Sequence, residues 1–298
     1  MSSDSIARAM PVPGSKRIRD ALAEGTRLLQ EAGDALARLD AEVLLSEITG
    51  YSRAMLLAHG EDELSPQQWH RYLEWIHRRA RGEPLAYIIG HTWFYGIRLR
   101  VTPDVLVPRP ETEVLVEQAL RIAKERKGPL CVADVGTGSG AIAVAVGTHM
   151  PRARLWATDI SARALRVARE NVRTHGLHAR TLLVQADLLR PLVGPFDLIL
   201  ANLPYVGTEE ANVLDPRVRA FEPAKALWAG PTGLDLIIRL LHQARTRLAP
   251  DGCILLEVGY RQGERVRQLA REHFPDARVQ LHRDLAGHLR VVEIRQEG

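Results

Sequence analysis

The chain has 298 residues, 46% of them apolar, with a formal net charge of +4. That length exceeds one average domain and supplies an ample core. No run approaches the ~18 apolar residues of a membrane helix, and two cysteines do not make a disulfide scaffold. The modest positive charge permits a polyanionic partner without requiring one.

Met1 to Ser15 carries Ser, Pro and Gly but no apolar stretch of signal-peptide type, so residues 1–15 are expected to be a disordered lead-in to a cytosolic protein. From 16 to 83 the pattern is helical: Ile18, Leu22, Leu28 and Leu29 mark one apolar face, and Ala41, Val43, Leu44, Leu45 and Ile48 another. Ser65-Pro66 opens a third helix that ends in the basic run His77 to Arg81. That run suits a helix C-terminus, where cations offset the macrodipole, and contact with an acidic partner is the alternative. Over 84–108, three β-type runs (Tyr87-Ile88-Ile89, Thr92 to Tyr95 and Ile97 to Val101) predict a β-hairpin linker.

From 109 to 298 helix and strand alternate. Helices are expected at Thr112–Lys124, Ala141–His149, Ala162–His175, Gly233–Leu248 and Gln262–Glu272. Strands are expected at Leu130–Asp134, Arg154–Asp159, Ala179–Gln185, Phe196–Ala201, Gly252–Val258, Ala277–His282 and Leu289–Arg295. This order predicts an α/β domain with a mainly parallel sheet. The final two strands have no helix between them, so antiparallel pairing is expected at one sheet edge. Cys131 and Cys253 fall in apolar strands and read as buried packing residues. His91, His149, His175, His178 and His288 are scattered without ligand spacing, and no metal is expected.

Two loops carry the chemistry. Asp134-Val135-Gly136-Thr137-Gly138-Ser139-Gly140 follows a strand and opens a helix, where glycines allow a tight turn and free N–H groups face a ligand. Dinucleotide folds use similar loops. The acid at the strand end suits an amine-bearing ligand such as S-adenosylmethionine better than a pyrophosphate, and the Lys-Ser/Thr ending of a P-loop is missing. Asp159 ends the next strand, where a carboxylate can accept both hydroxyls of a ribose; capping the following helix is its alternative role. Asp187 ends the third strand and with Leu188 could flank an adenine, or could be a plain turn residue.

The second loop, Asn202-Leu203-Pro204-Tyr205, ends the strand Phe196–Ala201. Proline stiffens it and aims its carbonyls. A planar amide nitrogen is almost non-nucleophilic because its lone pair is delocalised. An Asn side-chain oxygen and a backbone carbonyl can accept its two N–H bonds and orient it towards a methyl donor, while Tyr205 packs on the planar group and excludes water. Rate then comes from orientation and electrostatics. Asn202 is thereby assigned to both the cofactor and the substrate sides. An exocyclic amine of adenine is planar too, so the loop alone leaves protein amide and nucleobase open.

From about Ile18 to Ile294 the chain resembles the release-factor glutamine N5-methyltransferases of the HemK/PrmC type. Asp134 to Gly140 is similar to that family's S-adenosylmethionine loop, Asp159 to its ribose-binding acid, and Asn202 to Tyr205 to its Asn-Pro-Pro-Tyr substrate loop. Pro108-Arg109-Pro110-Glu111-Thr112-Glu113, Phe221-Glu222-Pro223 with Ala226-Leu227, Leu256-Glu257 with Gly259 and Gln262-Gly263, and Asp284 to Gly287 are further matches. Relatives acting on a large-subunit ribosomal protein share the Asn-Pro-Pro-Tyr loop but not the Pro108 to Glu113 form.

Two positions depart from the pattern. Leu203 replaces the first Pro, which implies a looser loop, and Asn-Leu-Pro-Tyr is also the form of ribosomal RNA adenine dimethyltransferases. Leu188 stands where some members place an aromatic against the adenine.

The resemblance implies a Rossmann-like methyltransferase domain that methylates the glutamine of the Gly-Gly-Gln loop in class I peptide chain release factors. It further implies a helical domain that docks the factor, with Arg109, Glu111, Phe221 and Glu222 on the substrate side. A monomer needing neither membrane nor nucleic acid is expected. The alternatives are a ribosomal-protein glutamine methyltransferase and an adenine N6-methyltransferase acting on RNA or DNA.

Overall fold

A computed structural model of the protein describes residues 16–208 and 215–297. The lead-in expected over 1–15 lies outside the described residues. The chain divides into two compact units, one ending at Ile89 and the other beginning at Gly90.

The first unit contains β1 (Lys16–Arg17), α1 (Ile18–Glu31), α2 (Ala37–Thr49), α3 (Arg53–Ala58), β2 (Glu63–Leu64), α4 (Pro66–Ala80) and α5 (Leu85–Ile89). Ile18, Leu22 and Leu29 of α1 meet Leu44 and Leu45 of α2 and Tyr72 and Ile76 of α4 in one core. Helix α4 starts where Ser65-Pro66 predicts. Gln68 N donates to Ser65 Oγ at 3.2 Å while Ser65 N donates to Gln68 Oε1 at 2.9 Å, a reciprocal cap. At its other end Arg78 grips Glu83 at 2.5 and 2.8 Å, and Arg79 bridges Asp34 at 2.8 Å and Asp40 at 2.6 Å. Two cations of the basic run are thus paired with carboxylates inside the unit. Tyr87-Ile88-Ile89, expected as a strand, is helical because Tyr87 N and Ile88 N both turn back to Pro84 O. A single turn is too short for periodicity to distinguish it from a strand.

The second unit opens with a hairpin, β3 (His91–Phe94) and β4 (Ile97–Arg100). A 3-10 turn at Pro110–Thr112 leads into α6 (Glu113–Lys124). Then follow β5 (Leu130–Val135), α7 (Ala141–His149), β6 (Ala153–Asp159), α8 (Ala162–Thr174), β7 (Thr181–Gln185), β8 (Phe196–Ala201), α9 (Pro216–Phe221), α10 (Asp235–Ala244), β9 (Leu248–Glu257), α11 (Gly263–His273), β10 (Ala277–Arg283) and β11 (Leu289–Gln296). The seven-stranded sheet has the order β10-β11-β9-β8-β5-β6-β7. Strands β9, β8, β5, β6 and β7 pair in parallel, and β11 pairs antiparallel with both β9 and β10. The reversed strand therefore lies between β9 and the edge strand β10, because a short turn joins it to β10.

Alternate residues of the strands feed two cores on opposite faces. Val132, Leu198, Leu200 and Leu255 pack with α6 and α7, while Val135, Ile199, Ile254 and Leu256 pack with α10 and α11. Cys253 is fully buried and burial pushes its thiol up to about 12, so it packs as an inert hydrophobe. The hairpin expected as a linker is built into the second unit. Phe94, Ile97 and Leu99 join the core against α6 and β5, and Tyr95 N donates to Glu113 Oε1 at 2.7 Å.

Candidate active site

Sheet register brings the reactive residues into line. Val135 pairs with Thr158 on one side and Ala201 on the other, and Ala201 pairs with Leu256. The next residues along these four parallel strands are Asp159, Gly136, Asn202 and Glu257, at adjacent carboxyl ends. Chain order reverses between β5 and β8, and such a switch point opens a crevice for a ligand.

The loop after β5 turns tightly: Gly136 N and Thr137 N both donate to Thr158 O, at 2.9 and 2.8 Å, and Gly140 N donates to Thr137 O at 2.8 Å. Asp134 is wholly buried and shapes this loop. Its Oδ2 accepts from the Thr137 hydroxyl at 2.5 Å and from Ala143 N at 3.1 Å, and burial pushes the carboxyl up to about 7. Oδ1 is buried without a partner. Ser139 is buried, and its carbonyl accepts from Asn171 Nδ2 at 2.8 Å; the same Asn171 exchanges hydrogen bonds with the backbone of Arg100 in β4. Gly138 has φ +56°, and a Cβ there would meet nothing within 4 Å, so the backbone faces open space. Asp159 Oδ2 accepts from Gly138 N at 2.9 Å, and Oδ1 from Ser161 N at 2.8 Å. Burial raises its pKa against the pull of these N–H groups. The helix-cap role weighed for Asp159 belongs to Ser161, whose Oγ accepts from Ala164 N.

Asp187 is ion-paired with Arg239, and Leu188, at φ +58°, is buried in the core beside Leu189 and Leu192.

The loop after β8 is held from several sides. Leu203 is 3% exposed and lies against Gly136. Tyr205 O accepts from Gln262 Nε2 at 2.8 Å, while Gln262 Oε1 accepts from Gly259 N at 3.0 Å. Val206 exchanges backbone bonds with Leu227 and Ala229. The Tyr205 phenol is pushed up to about 12 by burial, so it stays neutral. Pro204 and Asn202 are half-buried. Asn202 Nδ2 donates to Thr112 Oγ1 at 3.0 Å.

On the expected substrate side, Arg109 Nη2 donates to Glu222 Oε1 at 2.5 Å, and Glu222 Oε2 is buried without a partner. Burial raises the Glu222 pKa, opposed by Arg109. Glu111 is exposed, and Phe221 ends α9 half-buried. Arg109 and Glu111 both act electrostatically on Tyr205 and Glu257, which places them around the reactive loop. Thr112, Glu257 and Gln262 fell within segments matched to the family but had no role of their own, and Asn171 was not singled out. An acid closing the apolar strand Cys253–Leu256 was the available signal for Glu257. Among the described residues no group of three or more His, Cys, Asp or Glu could hold a metal, and no helix is long and apolar enough to cross a membrane.

Residues 20–90 match the family model for the PrmC N-terminal domain, and residues 111–224 that for the methyltransferase small domain. A release factor glutamine methyltransferase of Moorella thermoacetica is 46% identical over 85% of this chain and 89% of its own. One of Bordetella pertussis is 42% identical over 87% of this chain and 95% of its own. A methyltransferase structure from Pyrococcus furiosus, 16% identical, superposes with a TM-score of 0.51 over 78% of this chain and 100% of its own, and this likeness shows the fold alone. On this ground the chain, with its glycine loop and Asn202 at neighbouring strand ends, belongs to the family of release factor glutamine methyltransferases.

Proposed function

We propose that the protein methylates the side-chain amide nitrogen (N5) of the glutamine in the Gly-Gly-Gln loop of class I peptide chain release factors. Use of S-adenosylmethionine is a general property of this methyltransferase family. The residues fit that cofactor: Gly138 offers backbone to open space at the start of α7, Asp159 offers a carboxylate at the end of β6, and Asp134 keeps a buried oxygen without a partner. Gly136, Thr137, Gly138, Ser139 and Gly140 would hold it, with Asp159 at the ribose and Asp187 and Leu188 towards the adenine. When bound it supplies an electrophilic methyl group on a sulfonium.

The observation that carries the reading is the orientation of Asn202. Its Nδ2 is committed to Thr112, and no described residue donates to its Oδ1. That oxygen and the Leu203 carbonyl can accept both N–H bonds of an incoming amide and turn the nitrogen lone pair to one side. Oδ1 also hydrogen-bonds one of these protons, which passes to bulk solvent once the nitrogen has gained carbon, because an amide oxygen accepts a hydrogen bond but is too weak a base to keep the proton. Tyr205, neutral and half-buried, covers the planar group and keeps water out. Fixed acceptors of this kind lower a barrier by orientation and preorganised charge.

In this reading the helical unit (16–83) docks the factor, Arg109, Glu111, Phe221 and Glu222 border the entering loop, and the protein works as a cytoplasmic monomer without a nucleic acid. Incubation with a purified release factor and labelled S-adenosylmethionine tests it. Label on the Gly-Gly-Gln glutamine is expected; label only in RNA, DNA or a ribosomal protein overturns it.

A further inference from the structure

Glu257 closes β9 beside Asn202, is 2% exposed, and has no part in the reaction as described above. The Thr112 hydroxyl faces its carboxyl and lowers its pKa as a neighbouring donor does, and Oε2 is buried without a partner. Thr112 is itself 2% exposed and accepts from Asn202 Nδ2 at 3.0 Å. A carboxylate can only accept, so Thr112 must point its single proton at Glu257. Its oxygen is then an acceptor towards Asn202, and of the two ends of an amide only the NH2 end can answer it.

We propose that Glu257, acting through Thr112, is a positioning residue that fixes the Asn202 amide with Oδ1, not Nδ2, towards the substrate nitrogen. The inference rests on the amide methylation proposed above. Without the relay, a hydroxyl free to rotate satisfies either end of the Asn202 amide, and the flipped amide would present two donors to a substrate N–H.

The charged groups around Glu257 are Arg290 on β11, which lowers its pKa, and Arg109 and Glu111 from the segment before α6, which act in opposite directions. Arg290 is also held by Asp284 at 3.1 Å. Burial outweighs these and pushes the carboxyl up to about 7. A protonated Glu257 can donate to Thr112, releasing the Thr112 proton to turn towards Asn202 and undoing the orientation.

The test compares wild type, Thr112→Ser, Thr112→Val and Glu257→Gln on a release factor, reading kcat, KM and cofactor affinity from about pH 5.5 to 9. Thr112→Val is expected to lower kcat about 10- to 100-fold while Thr112→Ser stays within about threefold of wild type. Cofactor affinity should hold within about twofold in both. Wild-type kcat should rise with pH through about 7 and level off. Glu257→Gln should lack that limb and run flat and low. A Thr112→Val enzyme with wild-type kcat, or a limb that persists in Glu257→Gln, overturns the inference. A wild-type enzyme inactive on the factor overturns the functional reading instead.

Discussion

Leu203 Cδ2 lies 2.9 Å from where a Cβ would stand on Gly136, so the reactive loop and the glycine loop are in contact through one leucine. Leucine in place of proline implied a looser loop. The structure shows an anchored one, because the Leu203 side chain is 3% exposed and packs in the core with Val135 and Ala201. Proline would restrict the backbone; leucine ties it down by burial.

Gly136→Ala should weaken cofactor binding at least about tenfold, since φ is +75° and the new methyl meets Leu203. Leu203→Ala removes the clashing atom and should restore part of that loss, with a coupling of about 1–2 kcal/mol in a double-mutant cycle followed by calorimetry. Leu203→Ala alone should destabilise the fold by about 2–4 kcal/mol, read by denaturant unfolding.

Glu257→Gln should be more stable than wild type at pH 8 although less active. The Glu257 carboxyl titrates at about 7 in the fold, above its ordinary 4.5. A raised carboxyl pKa contributes stability below the unfolded value, and that stability is lost as pH rises through the folded value. The neutral amide escapes this loss, so the variant should gain roughly 1–3 kcal/mol at pH 8 and nothing near pH 4. Thermal unfolding of both proteins across this range checks it. Comparing the pair removes the opposite trend from Glu293, whose pKa is lowered despite burial by His282 and Arg121.

Arg109→Ala should cost about 1–3 kcal/mol at pH 8 and less at pH 5. Arg109 is partly exposed, which moderates the loss, but Glu222 is 5% exposed and would keep a buried charge with no partner. At low pH that carboxyl takes up a proton and the penalty fades. Glu222→Gln should show a smaller pH dependence than Arg109→Ala in the same urea titrations.

The strand and helix order of the second unit was legible because buried parallel strands are short apolar runs and their crossover helices carry clear periodicity. Ala141–His149 and Phe196–Ala201 are found at their expected bounds. The turn at Leu85–Ile89 and the short helix Arg53–Ala58 were not, since one or two turns leave too few residues for a period. The glycine loop, Asp159 and Asn202 stood out as chemistry-bearing residues at strand ends. Thr112 and Glu257 did not, because their part is to fix Asn202, and that depends on strand register: they are 90 and 55 residues from it in sequence but adjacent in the fold. Asp187 illustrates the converse. Its position at a strand end suggested a ligand contact and gave no sign that its carboxylate also pairs with Arg239 from α10.

The proposed methylation turns on Asn202 presenting Oδ1 to a glutamine amide of a release factor. Mass spectrometry of a purified release factor after incubation with S-adenosylmethionine and either wild type or Asn202→Ala tests it most directly. One added methyl on the Gly-Gly-Gln glutamine is expected with wild type, and a rate at least about 100-fold lower with Asn202→Ala at saturating cofactor. Methylation by Asn202→Ala at the wild-type rate, or a methyl group found at any other residue, would contradict it.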